Sequence, residues 1–416
     1  MQIFKSIATL FTSSLGSQLI VVLMMPFLTR YYPESSFGDW ALFVAVSTTL
    51  AIVSSFRYDQ SVLLPASVRD ALKLVKSAVV TGLLTSSLAL IVIVGLYLFE
   101  IVEKTIYLLV PASMLLTCMI QVVTTWSNRC KSYKLIAWAK IMQSSSTAIL
   151  NIVFVILWAP DLGVRTLVVA TMIGQCVSLV WLVWPAIRRA RKTFSLFSRV
   201  RLSKVVLLKY CDFPLYSTPE ALLGTVSTMF PLYASSYLFT SNEAGYVALA
   251  HRVLMFPVAL IGGAVSVVYA QRFATMVARN QSISSDMLRV WSIAGFIGLL
   301  PALMLNMFGE YLFMFAFGEQ WQMSGDIASS LAFYVYLLLV FALTSGAHVV
   351  LRLQHMSLIL AIMTLTGKII VAYMLQENLI NMMIGFAAMD LVATLFMNLL
   401  ALYKSRNVKH ENFDVA

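Results

Sequence analysis

Apolar residues gather along this chain into long runs broken by short clusters of charge, and the pattern persists from one end to the other. A helix of about 20 apolar residues crosses the hydrocarbon core of a bilayer and satisfies its own backbone hydrogen bonds there. On that measure the sequence predicts twelve transmembrane helices, over 4–28, 40–56, 76–99, 106–126, 135–158, 162–184, 214–239, 245–273, 287–308, 327–348, 357–373 and 379–403. The loops between them are short, so no soluble domain is expected.

Composition agrees with that pattern. Hydrophobic residues make up 60% of 416 positions and charged residues 11%, against about 25% charged in soluble domains. The opening MQIFKS leads into a long apolar run without a small-residue cleavage site, so the first helix is expected to be retained. Cys118, Cys130, Cys176 and Cys211 are scattered without C-x-x-C spacing and read as unpaired thiols.

Charge adds orientation. Of the 29 Lys and Arg, only Arg30, Lys104 and Arg165 lie in the loops that join odd to even helices, where Glu34, Asp39, Glu100, Glu103, Glu310, Glu319 and Asp326 gather instead. Cytoplasmic loops carry the excess of cations, so both termini are expected in the cytoplasm. The net charge of +11 follows from this topology, and no nucleic-acid partner is expected. The stretch IRRARKTFSLFSRVRLSK, 187–204, mixes cations with apolar residues and reads as an amphipathic linker lying on anionic lipid.

A short internal repeat sets the domain organisation. MPFLTRYYPESSFGDWALFVAV begins at Met25 and FPLYASSYLFTSNEAGYVALAHRV at Phe230. Each has Pro near the end of one helix and Gly-x-x-Ala-Leu at the start of the next: Gly38, Ala41, Leu42 and Gly245, Ala248, Leu249. Six helices precede the second copy, so the two halves share one orientation, related by a pseudo-two-fold axis along the membrane normal. The expected lobes are 1–203 and 204–416. Parallel repeats of this kind suit alternating access around a central site, which favours a transporter over a receptor or a membrane enzyme.

Six segments carry a resemblance: LTRYYPESSFGDWALF, FRYDQSVLLP, TWSNRCKSYKLIAWAK, KYCDFPLYSTPEALL, GYVALAHRVLMFPVALIGGAVSVVYAQR and FGEYLFMFAFGEQW. In this order, from the first helix to the tenth, they resemble the Wzx-type O-antigen and polysaccharide flippases of the multidrug/oligosaccharidyl-lipid/polysaccharide (MOP) exporter superfamily. The resemblance implies an all-α, twelve-helix, two-lobe protein of the bacterial inner membrane. Its substrate would be an undecaprenyl-diphosphate-linked oligosaccharide, moved from the cytoplasmic to the periplasmic leaflet, with a polysaccharide polymerase and a chain-length regulator as further partners. No cofactor, metal or catalytic residue is expected.

Such a substrate needs fixed cations for its diphosphate, and arginine grips phosphate oxygens through a planar fork of donors. Arg57 stands at the end of the second helix with Asp59 two residues on, and reads either as an interfacial anchor or as a diphosphate ligand that Asp59 orients. Arg252 lies about two turns into the eighth helix, where a charge is expensive and tends to face a cavity or a partner. Similarity to lipid-linked precursor flippases of the superfamily implies a diphosphate-binding set of Arg30, Arg57 and Arg252, with Asp39 as an acidic residue opening the second helix. Lys368 and Asp390, mid-helix in the last two helices, read equally as a structural pair or as a coupling pair. Lys140 is a candidate cavity cation or a snorkelling side chain, and Glu220 a candidate coupling carboxylate or a solvated one.

Two rivals stand beside this reading. An ion-coupled multidrug exporter of the same superfamily generally needs buried carboxylates, and the first six helices hold no mid-membrane Asp or Glu. A membrane polymerase or glycosyltransferase brings a large external loop or a catalytic domain, and the loops here are too short for either.

Overall fold

The computed structural model describes residues 2–101, 103–158, 163–189, 204–279, 281–351 and 353–406. Among them the chain is helical throughout and contains no strand. Most of the linker expected over 187–204 lies outside the described residues.

A helix occupies each predicted span. In chain order they begin with α1 (Gln2–Tyr31), α2 (Glu34–Ser54), the single turn α3 (Tyr58–Ser61), α4 (Val68–Leu98), α5 (Val110–Arg129), α6 (Tyr133–Trp158) and α7 (Val164–Arg189). After the short α8 (Lys204–Lys209) come α9 (Thr218–Leu238), α10 (Ser241–Pro257), α11 (Gly263–Ala278) and α12 (Ser284–Phe317). The chain ends with α13 (Gln322–Ser330), α14 (Ala332–Ala342), α15 (Gly346–Val350), α16 (Gln354–Met374) and α17 (Leu379–Arg406). A π-helical turn at Val258–Gly262 joins α10 to α11, making one long apolar element, Ser241–Ala278.

Nine of these elements are long and apolar enough to cross a membrane, and α13 with α14 forms a tenth that is bent by 56°. This is a multi-pass membrane protein. The segment at 327–348 is therefore a broken element rather than one straight helix, with its break at Leu331. Hydropathy also starts α4 late. Its first turns, VRDALKL, carry an Asp70–Lys73 ion pair on one side and bury Ala71, Leu72 and Leu74 on the other. An amphipathic prelude of that sort escapes an apolar-run criterion.

The chain divides into two compact units, 1–226 and 227–416. In the first, α6 packs along both α1 and α7, and α5 lies against α2, α4 and α7. Its buried groups include two carboxylates, Asp39 and Asp59, and neutral hydrogen-bonded side chains: Trp40 Nε1 donates to Thr171 at 2.9 Å, and Gln175 links Ser113 and Thr117 at 3.2 Å each. In the second, α12 packs on α13 and α14, and α16 packs on α17. The approach of α12 to α13 depends on Gly325, where a Cβ would stand 2.6 Å from the Cα of Glu310.

Candidate functional site

The SSFRYDQSVLLP segment leaves α2 through two successive residues with left-handed backbone, Phe56 at φ 46° and Arg57 at φ 57°. Neither is glycine, and each such residue carries about 1–3 kcal/mol of strain that the surroundings must hold in place. Two sets of hydrogen bonds hold it. Ser55 donates to the buried carboxylate of Asp59 at 2.6 Å, closing the turn on itself, and Gln60 donates to the same group at 3.4 Å. From α5, Arg129 reaches across and donates to the carbonyls of Val62 (2.9 Å), Leu63 (3.3 Å), Pro65 (2.5 Å) and Ala66 (3.5 Å). Burial pushes the Tyr58 hydroxyl above its ordinary pKa, as expected for a turn folded inward.

Arg57 is half-buried on this turn, with its Nε buried and without a hydrogen-bond partner. No ion pair joins it to Asp59 among the described residues. The Asp59 oxygens are engaged by Ser55 and Gln60 instead. Arg30 is exposed on the last turn of α1. Asp39 is buried at the start of α2 and accepts from Lys104 at 2.6 and 2.8 Å. Lys140 and Glu220 are both exposed.

The second unit gathers its charge inside. A cavity of about 490 Å³ is walled largely by apolar side chains, and its polar patch is built on Lys368 and Asp390. The Lys368 ammonium, 1% exposed, donates to Asp390 at 2.8 Å and to the Ser227 carbonyl at 2.8 Å. Tyr334 donates to the other Asp390 oxygen at 3.4 Å. His251 lines the same cavity, and His348 and Asn398 stand at another part of its wall. Arg252, half-buried beside His251, does not line it. Among the described residues no cluster suits a metal ion.

The structure thus joins Lys368 to Asp390 as one pair, ties Asp39 to Lys104, and leaves Arg57 apart from Asp59. Sequence reasoning missed Arg129, Tyr334, His251 and the Ser227 carbonyl. The last had a signal: Pro231 stands four residues after Ser227 and has no N–H to give it.

A two-unit, all-helical bundle with these spans is the fold of MOP-superfamily transporters. The inward-facing structure of a multidrug resistance MATE family transporter of that superfamily matches with a TM-score of 0.75 over 95% of this chain and 96% of that one, at 14% identity. Lipid II flippase MurJ, in an inward closed conformation, matches with a TM-score of 0.72 over 96% and 89%, at 10% identity. At such identities the likeness is one of fold. No curated protein sequence matches. The family described as "Polysaccharide biosynthesis protein" matches residues 27–326, and the chain belongs to it.

Proposed function

We propose that this protein is a Wzx-type flippase that carries an undecaprenyl-diphosphate-linked oligosaccharide, an O-antigen or capsule repeat unit, from the cytoplasmic to the periplasmic leaflet of a bacterial inner membrane. The observation that carries the reading is membership of a polysaccharide biosynthesis family by a chain with a transporter fold. The proposed mechanism is alternating access between lobes 1–203 and 204–416, with twelve spans and both termini in the cytoplasm. A polymerase and a chain-length regulator would take the product onward.

Arg30, Arg57 and Arg252 are the proposed diphosphate ligands. Support for Arg57 is local: a strained turn holds it, and its Nε has no protein partner. Backbone strain of this kind tends to collect at functional sites. Asp59 sets the turn and Asp39 holds the opening of α2. Lys140 is assigned to the cavity vestibule, and Glu220, with Lys368 and Asp390, to orientation or coupling.

The test is reconstitution. In proteoliposomes loaded on one leaflet with a fluorescent undecaprenyl-diphosphate oligosaccharide, the protein should make the sugar accessible to a lectin on the other side. A cationic drug should not be moved. The second reading, an ion-coupled multidrug exporter, is favoured by the fold likeness to the MATE transporter. Drug transport driven by an ion gradient, with no movement of the lipid-linked sugar, would replace the first reading by the second.

A further inference from the structure

A helix that contains proline leaves one carbonyl without its usual donor, four residues back. In α9 that proline is Pro231 and the carbonyl is that of Ser227. Elsewhere such a carbonyl turns to water or to a serine or threonine hydroxyl. Here Lys368 comes from α16 to fill the gap, and the same ammonium binds Asp390 of α17. Three helices therefore meet at one nitrogen, on the wall of a cavity.

We propose that Lys368 is a positioning residue, a cation tethered to α16 that replaces the hydrogen bond Pro231 removes and thereby fixes the bend of α9. Asp390 and Tyr334 keep the ammonium aimed at the Ser227 carbonyl. Release of that one contact frees α9 to change its bend, with the carbonyl turning to the cavity that Ser227 already lines. The charge pair is then a latch whose working part is a backbone oxygen. This inference is independent of the molecule carried.

The latch predicts a coupling between Lys368 and Pro231, which both act on the Ser227 carbonyl. Replacing Pro231 by alanine restores the missing N–H, so Ser227 no longer needs the lysine. The experiment uses the full chain in lipid nanodiscs and follows amide hydrogen exchange over 222–238, with the charge-neutral variant Lys368→Met/Asp390→Asn, so that no unpaired carboxylate confuses the result. Loss of one hydrogen bond from a charged donor should raise exchange in α9 by about tenfold. Adding Pro231→Ala should cancel most of that increase. The same increase with and without Pro231→Ala would overturn the proposal, because Lys368 would then act through Asp390 alone. No increase in the first variant would overturn it as well. Should the charge-neutral protein fail to insert, recovery of inserted protein on adding Pro231→Ala reads the same coupling, and absence of recovery refutes it.

Discussion

The two halves of the molecule repeat one corner and spend their charge differently on it. In each, a helix containing proline ends, the chain turns, and a second helix begins with Gly-x-x-Ala-Leu: Pro26 to Gly38 in the first half, Pro231 to Gly245 in the second. Beyond that corner the first unit keeps its buried charge at helix ends, with Asp39 tied to Lys104 and Asp59 closing the strained turn that carries Arg57, while Trp40 bonds Thr171 and Gln175 bonds Ser113. The second unit draws a lysine and an aspartate into its interior and binds three helices with them. The Nε of Arg57, without a hydrogen-bond partner among the described residues, is a donor left to offer a ligand. An ion pair completed inside the protein offers little charge outward and fixes geometry instead. The second half thus spends its interior charge on geometry, whereas of the proposed diphosphate ligands two, Arg30 and Arg57, belong to the first half and one, Arg252, to the second.

Thermal unfolding in detergent separates the halves most sharply. Lys368→Met, which strands Asp390, should cost about 3–5 kcal/mol, and the double change Lys368→Met/Asp390→Leu should recover most of it. Lys104→Met also strands a carboxylate, Asp39 at 12% exposed, but removes a lysine that water reaches at 46%, so it should cost about 1–3 kcal/mol, less than Lys368→Met. Equal losses at the two lysines would erase the contrast.

Transport comes next in size. Truncating Arg57 or Arg252 to Ala should cost roughly 2–5 kcal/mol of diphosphate binding, enough to remove surface polysaccharide in a complementation assay at matched expression. Arg57→Lys should restore it poorly, because an ammonium lacks the planar fork. Asp59→Asn should do less harm than Arg57→Ala. Wild-type polysaccharide from both alanine variants would make RYD an anchor and nothing more.

Smaller effects probe the support of the turn. Arg129→Ala should destabilise the first unit by about 2 kcal/mol through loss of charged hydrogen bonds to backbone, and should open 62–66 to proteolysis. An unchanged cleavage pattern would remove Arg129 from the account. Beside it, partial desolvation pushes the thiol of Cys130, itself exposed, above its ordinary pKa, with the Arg129 charge drawing it partly back. Since the thiolate is the reactive form, Cys130 alkylation should rise with pH through a midpoint above that of a free thiol. Arg129→Ala should move that midpoint higher still, and a midpoint at or below the free-thiol value would contradict the desolvation.

Hydropathy made the helices legible because a bilayer imposes one demand on every span. It failed where a helix is amphipathic or broken: the first turns of α4, and the bend at Leu331, where no proline or glycine marks the place. Opposite charges in mid-helix made the Lys368–Asp390 pair readable as one of two options. The left-handed turn at Phe56 and Arg57 had no sequence signal, since neither residue favours that backbone. Arg129 and Ser227 escaped notice for a related reason: what they bind or offer is main chain, common to all residues.

That same fact governs how the segment after Arg57 tolerates change. Arg129 grips four carbonyls between Val62 and Ala66 and no side chain. The identities of Val62, Leu63, Leu64 and Ala66 are thus free to drift as far as this grip is concerned, while the number of residues is not. One inserted or deleted position would carry the carbonyls out of register with a rigid guanidinium, so homologues and engineered variants should differ here in spelling and agree in length.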